Sequence, residues 1–347
     1  MLVFKRMKVL LVSIGLVLVS GESRGAQEDQ VIRAEVEAVL VNVLVSDRNG
    51  RPITGLKREN FRIFEDKVEQ QIGTFFPVNA PFSVVLLLDT SYSTYGKLAP
   101  LQDSAIEFVE QIHPQDEVMV ISFDDEVYLE TDFTSNKDAA ARAIKMTRTG
   151  QSTKLYDSVF LGMDELRPQP YRKVMVLFSD GIDTTSSDSS RGETIQVAKE
   201  SETTIYSIQF DTRNQMLMPR QAPIATPGTI PGRIPVPVGI PTPLPGPIPG
   251  GRGPGRSQVE AEYGRGRAYL KQLASVTGGD LYQASQDLLN LSTIFAQIAE
   301  EMRSLYSISY VSSNPRRDGK FRKIAVRVDV PDARVRTRKG YAAAKSN

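Results

Sequence analysis

An apolar run, SVVLLLDTSYST (Ser83–Thr94), ends in three oxygen-bearing side chains on alternating positions: Asp89, Ser91 and Ser93. A second run ends the same way, in VMVLFSDG, with Asp180 after the hydrophobic stretch. If the two runs are adjacent strands, both carboxylates sit at the same end of a sheet. A like-charge pair in that position raises one of its own pKa values, and a divalent cation removes the penalty. Asp89, Asp180, Ser91, Ser93 and a further hydroxyl form an all-oxygen donor set. Such a set suits a hard cation, Mg²⁺ or Mn²⁺, better than Zn²⁺. One turn can direct the oxygens of 89, 91 and 93 at one point. Mg²⁺ keeps some of its water, which leaves a position for an outside ligand, most naturally a carboxylate on a partner.

The composition removes competing chemistries. There is no cysteine, so disulfides, thiolate metal sites and thiol nucleophiles are excluded. The single histidine, His113, excludes most zinc enzymes, and any Ser-His-Asp triad must use it. It lies in EQIHPQDEV, a helix-to-strand joint, at the opposite end of the sheet from Asp89. With 42 basic and 41 acidic residues, the net charge of +1 makes no electrostatic case for nucleic acid. No Gly-x-Gly-x-x-Gly follows the first strand, which removes a dinucleotide cofactor. A phosphoesterase would want a second Asp where Ser91 stands, and no general base is evident beside it.

The elements that must position these oxygens can be read from pattern. Residues Val31–Pro77 are β in character, with a turn at DRNGRP, one helical turn in GLKRENF, and two short strands around Glu65-Asp66-Lys67. From Phe82 the rhythm becomes strand, helix, strand. The apolar runs Ser83–Leu88, Val118–Phe123, Val174–Phe178 and Thr204–Phe210 read as buried parallel strands. Tyr128–Phe133 reads as an antiparallel edge strand, and DLYQA as a sixth short one. Helices are expected at about Tyr263–Thr277 and Leu288–Ser304. This alternation predicts a doubly wound, mostly parallel α/β domain. Ligands of such sheets bind outside the carboxyl ends of the strands, where Asp89 and Asp180 fall. From Tyr306 the pattern returns to β, and Arg322, Lys323, Arg327, Arg334, Arg336, Arg338 and Lys339 read as a solvated strand face.

Two segments stand apart. Lys5, Arg6 and Lys8 precede an apolar stretch, Val9–Val19, and small residues follow at Gly21, Ser23, Gly25 and Ala26. This predicts an export signal over 1–26, too short for the roughly 20 residues of a membrane span. The mature chain would start outside the cytoplasm, periplasmic, cell-surface or secreted. Residues 219–256 hold 12 Pro and 8 Gly in 38 positions and no acid, so a disordered or polyproline-like insertion in a βα loop is expected. The expected divisions are a leader (1–26), an N-terminal β region (27–79), the α/β domain (80–304) and a C-terminal β region (305–347).

DTSYS resembles the Asp-x-Ser-x-Ser of von Willebrand factor type A (VWA) domains, the core of their metal-ion-dependent adhesion site (MIDAS). GQSTKLYDSV is similar to that family's Thr loop, with Gln151-Ser152 where glycines are usual, and LFSDGID to its last Asp loop. The resemblance spans about Phe82 to Ser304 and implies metal ligation by Asp89, Ser91, Ser93, Thr153 and Asp180. It places Asp157 and Asp183 in supporting positions. The flanks resemble those of bacterial VWA-related proteins common in acidobacteria, with Lys67 in place of a turn glycine, so a different hairpin turn is expected. The two flanks are expected to pair into one small β-sandwich around the VWA domain. The function implied is a non-enzymatic, metal-dependent protein-binding module, with no nucleic acid partner and no membrane span after signal cleavage. A metal-free interaction scaffold and a Mg²⁺-dependent hydrolase are the alternatives.

Overall fold

The computed structural model describes residues 38–78, 80–217 and 255–345. The expected leader and nearly all of the Pro/Gly-rich stretch lie outside them. The chain starts with β1 (Ala38–Ser46), β2 (Phe61–Glu65), β3 (Val68–Gln70) and β4 (Ile72–Phe76). The α/β portion follows: β5 (Phe82–Asp89), α1 (Leu98–Gln111), β6 (Glu117–Phe123), β7 (Val127–Thr134), α2 (Lys137–Met146), α3 (Leu155–Leu166), β8 (Arg172–Ser179) and α4 (Arg191–Glu200). It continues with β9 (Thr204–Gln209), α5 (Arg213–Leu217), α6 (Arg256–Thr277), β10 (Leu281–Gln283) and α7 (Leu291–Arg303). The chain then returns to β11 (Tyr306–Val311), β12 (Phe321–Val328), β13 (Arg334–Thr337) and β14 (Gly340–Ala342).

The central sheet has the order β10-β9-β8-β5-β6-β7, parallel except for the edge strand β7. Every residue of β5 is buried. Val84, Leu86 and Leu88 pack on one face beneath α1, α2 and α7, and Val85 and Leu87 on the other beneath α3, α4 and α6. That is why the run shows no polar alternation: each face has its own helical layer. Local signals start and stop the helices. Asn136 accepts the Ala139 N–H at the head of α2, and Ser190 forms a reciprocal capping box with Glu193 on α4. α1 stops before His113-Pro114, where the residue ahead of a proline is driven out of helical geometry.

The crossover after β5 leads toward β6, and β8 lies on the other side of β5. Strand order reverses there, and a crevice opens between the carboxyl ends of β5 and β8. In that pairing Leu88 lies opposite Phe178, so Asp89 is level with Ser179, one residue before Asp180.

The flanks pair with each other as expected. β1 runs antiparallel to β11, and β2 to β12. Two four-stranded sheets result, β13-β1-β11-β4 and β14-β12-β2-β3. They enclose a common core that includes Val41, Val43, Ile63, Tyr306, Ile308 and Ile324. Three details differ from the sequence reading. Phe61–Phe76 makes three strands rather than two. The β2–β3 hairpin keeps a tight two-residue turn, with Asp66 and Lys67 both at positive φ (46° and 73°) and Glu65 paired to Val68. Lys67 thus adopts the left-handed backbone that glycine takes without strain. The basic strand is not a uniformly solvated face, because Arg322 and Arg338 are buried. Arg322 pairs with the buried Glu65, which also accepts from Ser312, Tyr310 and Tyr341. Burial works to raise the Glu65 pKa, but these donors outweigh it and hold it below the usual value.

Two arginines fasten the sandwich to the α/β domain. Arg172, the first residue of β8, donates to the carbonyls of Pro77 and Leu305 at 2.7 Å each. Those carbonyls belong to the two crossings between the modules. Arg336 on β13 reaches Asp280 at 2.8 Å and also pairs with Glu301 on α7.

Candidate metal centre

The strand end at Asp89 is shaped by its own side chains. Asp89 Oδ1 accepts the Ser91 N–H at 3.0 Å and the Ser91 hydroxyl at 2.5 Å. Ser91 is extended (φ −65°, ψ 172°) and leads into a 3₁₀ turn, Tyr92–Thr94, held by Thr94 N–H on the Ser91 carbonyl. This brings Ser93 back beside Ser91, with hydroxyl oxygens 2.8 Å apart. The Ser93 hydroxyl also helps to hold the Asp180 carboxyl down. Asp89, Ser91 and Ser93 therefore form one continuous chain of oxygens.

Neighbouring strands hold both carboxylates. Asp89 Oδ2 accepts the Ser179 hydroxyl at 2.7 Å. Asp180 accepts Ile182 N–H and the Thr212 hydroxyl, both at 2.9 Å. After Asp180 the chain turns at Gly181 (φ 86°), where a Cβ would lie 2.5 Å from the Gly266 carbonyl oxygen of α6. Gly266 is similarly confined: a Cβ there would lie 2.7 Å from the Asp180 carbonyl oxygen. This close backbone approach keeps the Asp180 loop against α6.

Thr153 sits in the loop ahead of α3. Its N–H donates to the Thr184 hydroxyl at 2.8 Å, and its carbonyl accepts from Thr184 and Thr185 N–H. Three residues earlier, Gly150 N–H donates to the Thr90 carbonyl at 2.9 Å, between Asp89 and Ser91. The loop is thus stitched to both aspartate-bearing segments. No hydrogen bond to the Thr153 hydroxyl occurs among the described residues. Where the family has glycines, Asp125 shapes the backbone by accepting from Gln151 N–H, Ser152 N–H and the Ser152 hydroxyl. Asp157 accepts N–H groups of Ser187, Asp188 and Ser189, and Asp183 accepts the Ser186 hydroxyl and N–H. Both shape the segment after Asp180 through hydrogen bonds to it.

Electrostatics single out the aspartate pair. Burial first, and then the Asp180 charge, push the Asp89 carboxyl up. Burial does the same to Asp180, opposed by hydrogen bonds from Ile182 and Thr212, by the Ser93 hydroxyl and by the Lys97 charge. A proton on one carboxyl or a cation between them relieves such a pair. Among the described residues no cluster of three or more Asp, Glu or His side chains has metal-holding geometry. The carboxylates come as a pair, and hydroxyls would have to complete the shell. This donor set fits a hard divalent ion.

Ser179, Thr212, Lys97 and Asp125 escaped the sequence reading. Ser179 ends β8 as Asp89 ends β5, and Thr212 follows three residues after the end of β9; that placement was the available signal. Lys97 had none, since only the fold brings it near Asp180 and Asp211. His113 lies beside Phe82 and Asp116 at the amino end of β5, across the sheet from Asp89.

The family model for the von Willebrand factor type A domain matches residues 84–182, from within β5 to the Asp180 loop. The central sheet and its helices have the VWA fold. Solved structures similar to the chain include the vWF domain of Mfa5, the type V pili tip protein of Porphyromonas gingivalis. That match has 14% identity over 65% of this chain and 95% of that one, with a TM-score of 0.44. Another is BatB, a conserved hypothetical protein of Bacteroides thetaiotaomicron, at 15% identity over 63% and 98% of the two chains and a TM-score of 0.41. A third is proximal thread matrix protein 1 of the mussel byssus, whose MIDAS motif is occupied by zinc. It shares 14% identity over 66% of this chain and 47% of its own, with a TM-score of 0.44. No curated protein matches the chain. Among the described residues, no helix is long and apolar enough to cross a membrane.

Proposed function

We propose that this is an exported, non-enzymatic adhesion module. It holds Mg²⁺ or Mn²⁺ among Asp89, Ser91, Ser93, Thr153 and Asp180 and captures a carboxylate on a protein partner. The observation that carries the reading is the pair of buried carboxylates, Asp89 and Asp180, at neighbouring parallel strand ends, with the Ser91 and Ser93 hydroxyls linked to Asp89. Asp89 and Asp180 supply the charge, and Ser91, Ser93 and Thr153 the neutral oxygens. When bound, the ion offers a Lewis-acidic position to an incoming carboxylate oxygen. Ser179 and Thr212 keep the two aspartates oriented, and Asp125 keeps the Thr153 loop closed on them. Export rests on the charged and apolar pattern of residues 5–19. The single histidine, His113, is at the far end of the sheet from Asp89, which favours capture over a histidine-assisted turnover.

Calorimetric titration with Mg²⁺ and Mn²⁺ tests the reading. Wild type binds one ion, while Asp89→Ala and Thr153→Ala lose binding and keep their circular dichroism. Absence of a binding heat in the wild type sinks the metal reading and leaves a metal-free scaffold. Metal-dependent turnover in a phosphoester screen sinks the non-enzymatic one.

A further inference from the structure

The two most exposed large apolar side chains among the described residues are Leu289 (83%) and Tyr95 (68%). Tyr95 borders the candidate metal centre, and Leu289 follows β10, whose carboxyl end lies on the same edge of the sheet. Tyr95 directly follows the 3₁₀ turn that carries Ser93, and its ring stacks on that of Tyr92, centroids 5.7 Å apart and planes at 15°. The stack fixes an aromatic surface in place before any ligand arrives. Leu289 stands just ahead of α7, in a turn where Leu288 is buried at positive φ (60°). A branched residue takes that backbone under strain, and the strain is spent turning Leu289 outward. Two observations bring this turn to the same crevice. Lys97, at the head of α1, feels the charges of Asp211, Asp180 and Asp287 together. The Ser104 and Ser292 hydroxyls, 3.2 Å apart, join the early turns of α1 and α7.

A carboxylate site edged by prearranged apolar side chains has a selectivity beyond charge. Solitary exposed hydrophobics are ordinary, but here the two largest exposures lie on the edge of the sheet that carries the candidate site. We propose that this rim selects the partner: the captured protein segment presents its carboxylate with a large apolar side chain, aromatic or branched aliphatic, one or two residues away. The carboxylate is drawn by the metal centre, and its neighbour is desolvated against Tyr92, Tyr95 and Leu289. An aliphatic Leu on the rim favours a protein side chain over a sugar ring, which would call for aromatic faces alone. The inference rests on the metal-held carboxylate proposed above.

Its test uses the full chain immobilised and two peptides carried on tetrameric streptavidin, so that avidity makes weak contacts measurable. One peptide is Gly-Phe-Asp-Leu-Gly and the other Gly-Ser-Asp-Ser-Gly, both blocked at their ends, and each is run in Mg²⁺ and in EDTA. The apolar-flanked peptide should bind about tenfold tighter in Mg²⁺ (~1.4 kcal/mol), and neither should bind in EDTA. The double variant Tyr95→Ser, Leu289→Ser should lose the preference while its calorimetric Mg²⁺ affinity stays at the wild-type value. Equal responses to the two peptides, no response to either, or a preference surviving in the double variant overturns the rim proposal. Those results leave the metal centre standing if Mg²⁺ heats are intact, whereas a wild type without Mg²⁺ heats fails at the earlier step.

Discussion

Replacing Asp89 by Asn removes one charge from the buried pair and leaves the side chain nearly isosteric. The Asp89 carboxyl is pushed up from 3.8 to about 7 by burial and by Asp180. The folded state therefore keeps a proton that the unfolded chain gives up near pH 4. Stability without metal is greatest below the unfolded pKa and falls as pH rises through the window from about 4 to about 7, after which the full cost is present. A shift of that size corresponds to roughly 4 kcal/mol as an upper bound at pH 8. The amide no longer accepts on both atoms, so one of the donors from Ser91 and Ser179 must find another acceptor, at a cost of about 1–2 kcal/mol. The net expectation in EDTA at pH 8 is a variant more stable than wild type by about 2 kcal/mol, or roughly 4–8 °C in Tm. At pH 5 the gain should disappear. Added Mg²⁺ should raise the wild-type Tm and leave the variant unmoved. Differential scanning fluorimetry across pH, with and without Mg²⁺, reads all three. A variant that melts below wild type in EDTA at pH 8, by a margin that pH does not change, would refute the argument that the aspartates repel one another there.

Lys67→Gly should stabilise the protein by about 1 kcal/mol, because glycine takes the positive φ of that turn without strain; urea melts measure it. Gly266→Ala should push α6 off the Asp180 loop, costing about 1–3 kcal/mol of stability and weakening Mg²⁺ binding in calorimetry. Arg322→Leu should cost about 3–5 kcal/mol at pH 7 by leaving the buried Glu65 carboxylate without its cation. Because Glu65 can then take up a proton in acid, the deficit relative to wild type should narrow as pH falls toward 4, as chemical denaturation at several pH values would show.

The meeting of the two aspartates was legible where sequence and strand direction coincide. Asp89 and Asp180 end apolar runs, and parallel strands put such ends on one edge, so their meeting followed from topology. The flank pairing was legible too, from two β regions left without partners of their own. What escaped depends on contacts that no local pattern carries. Arg322 alternates with apolar residues like a solvated side chain, but its partner Glu65 is 257 positions away. Lys97 nears Asp180 only through the packing of α1 over the sheet. In α6, helix was expected only from about Tyr263. The observed helix starts at Arg256, and the close approach of Gly266 to Gly181 supplies a packing reason for one of its glycines.

The Arg172 clasp has a mechanical meaning. It grips the incoming and outgoing strands of the VWA domain at one point, at the amino end of β8 and away from the metal edge. A pull applied at the Asp89 edge would leave the domain through both crossings at once and pass into β1 and β11, which lie antiparallel and hydrogen-bonded side by side. Tension between residues flanking the sandwich would instead load its own strands and bypass the central sheet. A load on the Asp89 edge and a stretch of the chain are thereby carried by different sets of hydrogen bonds.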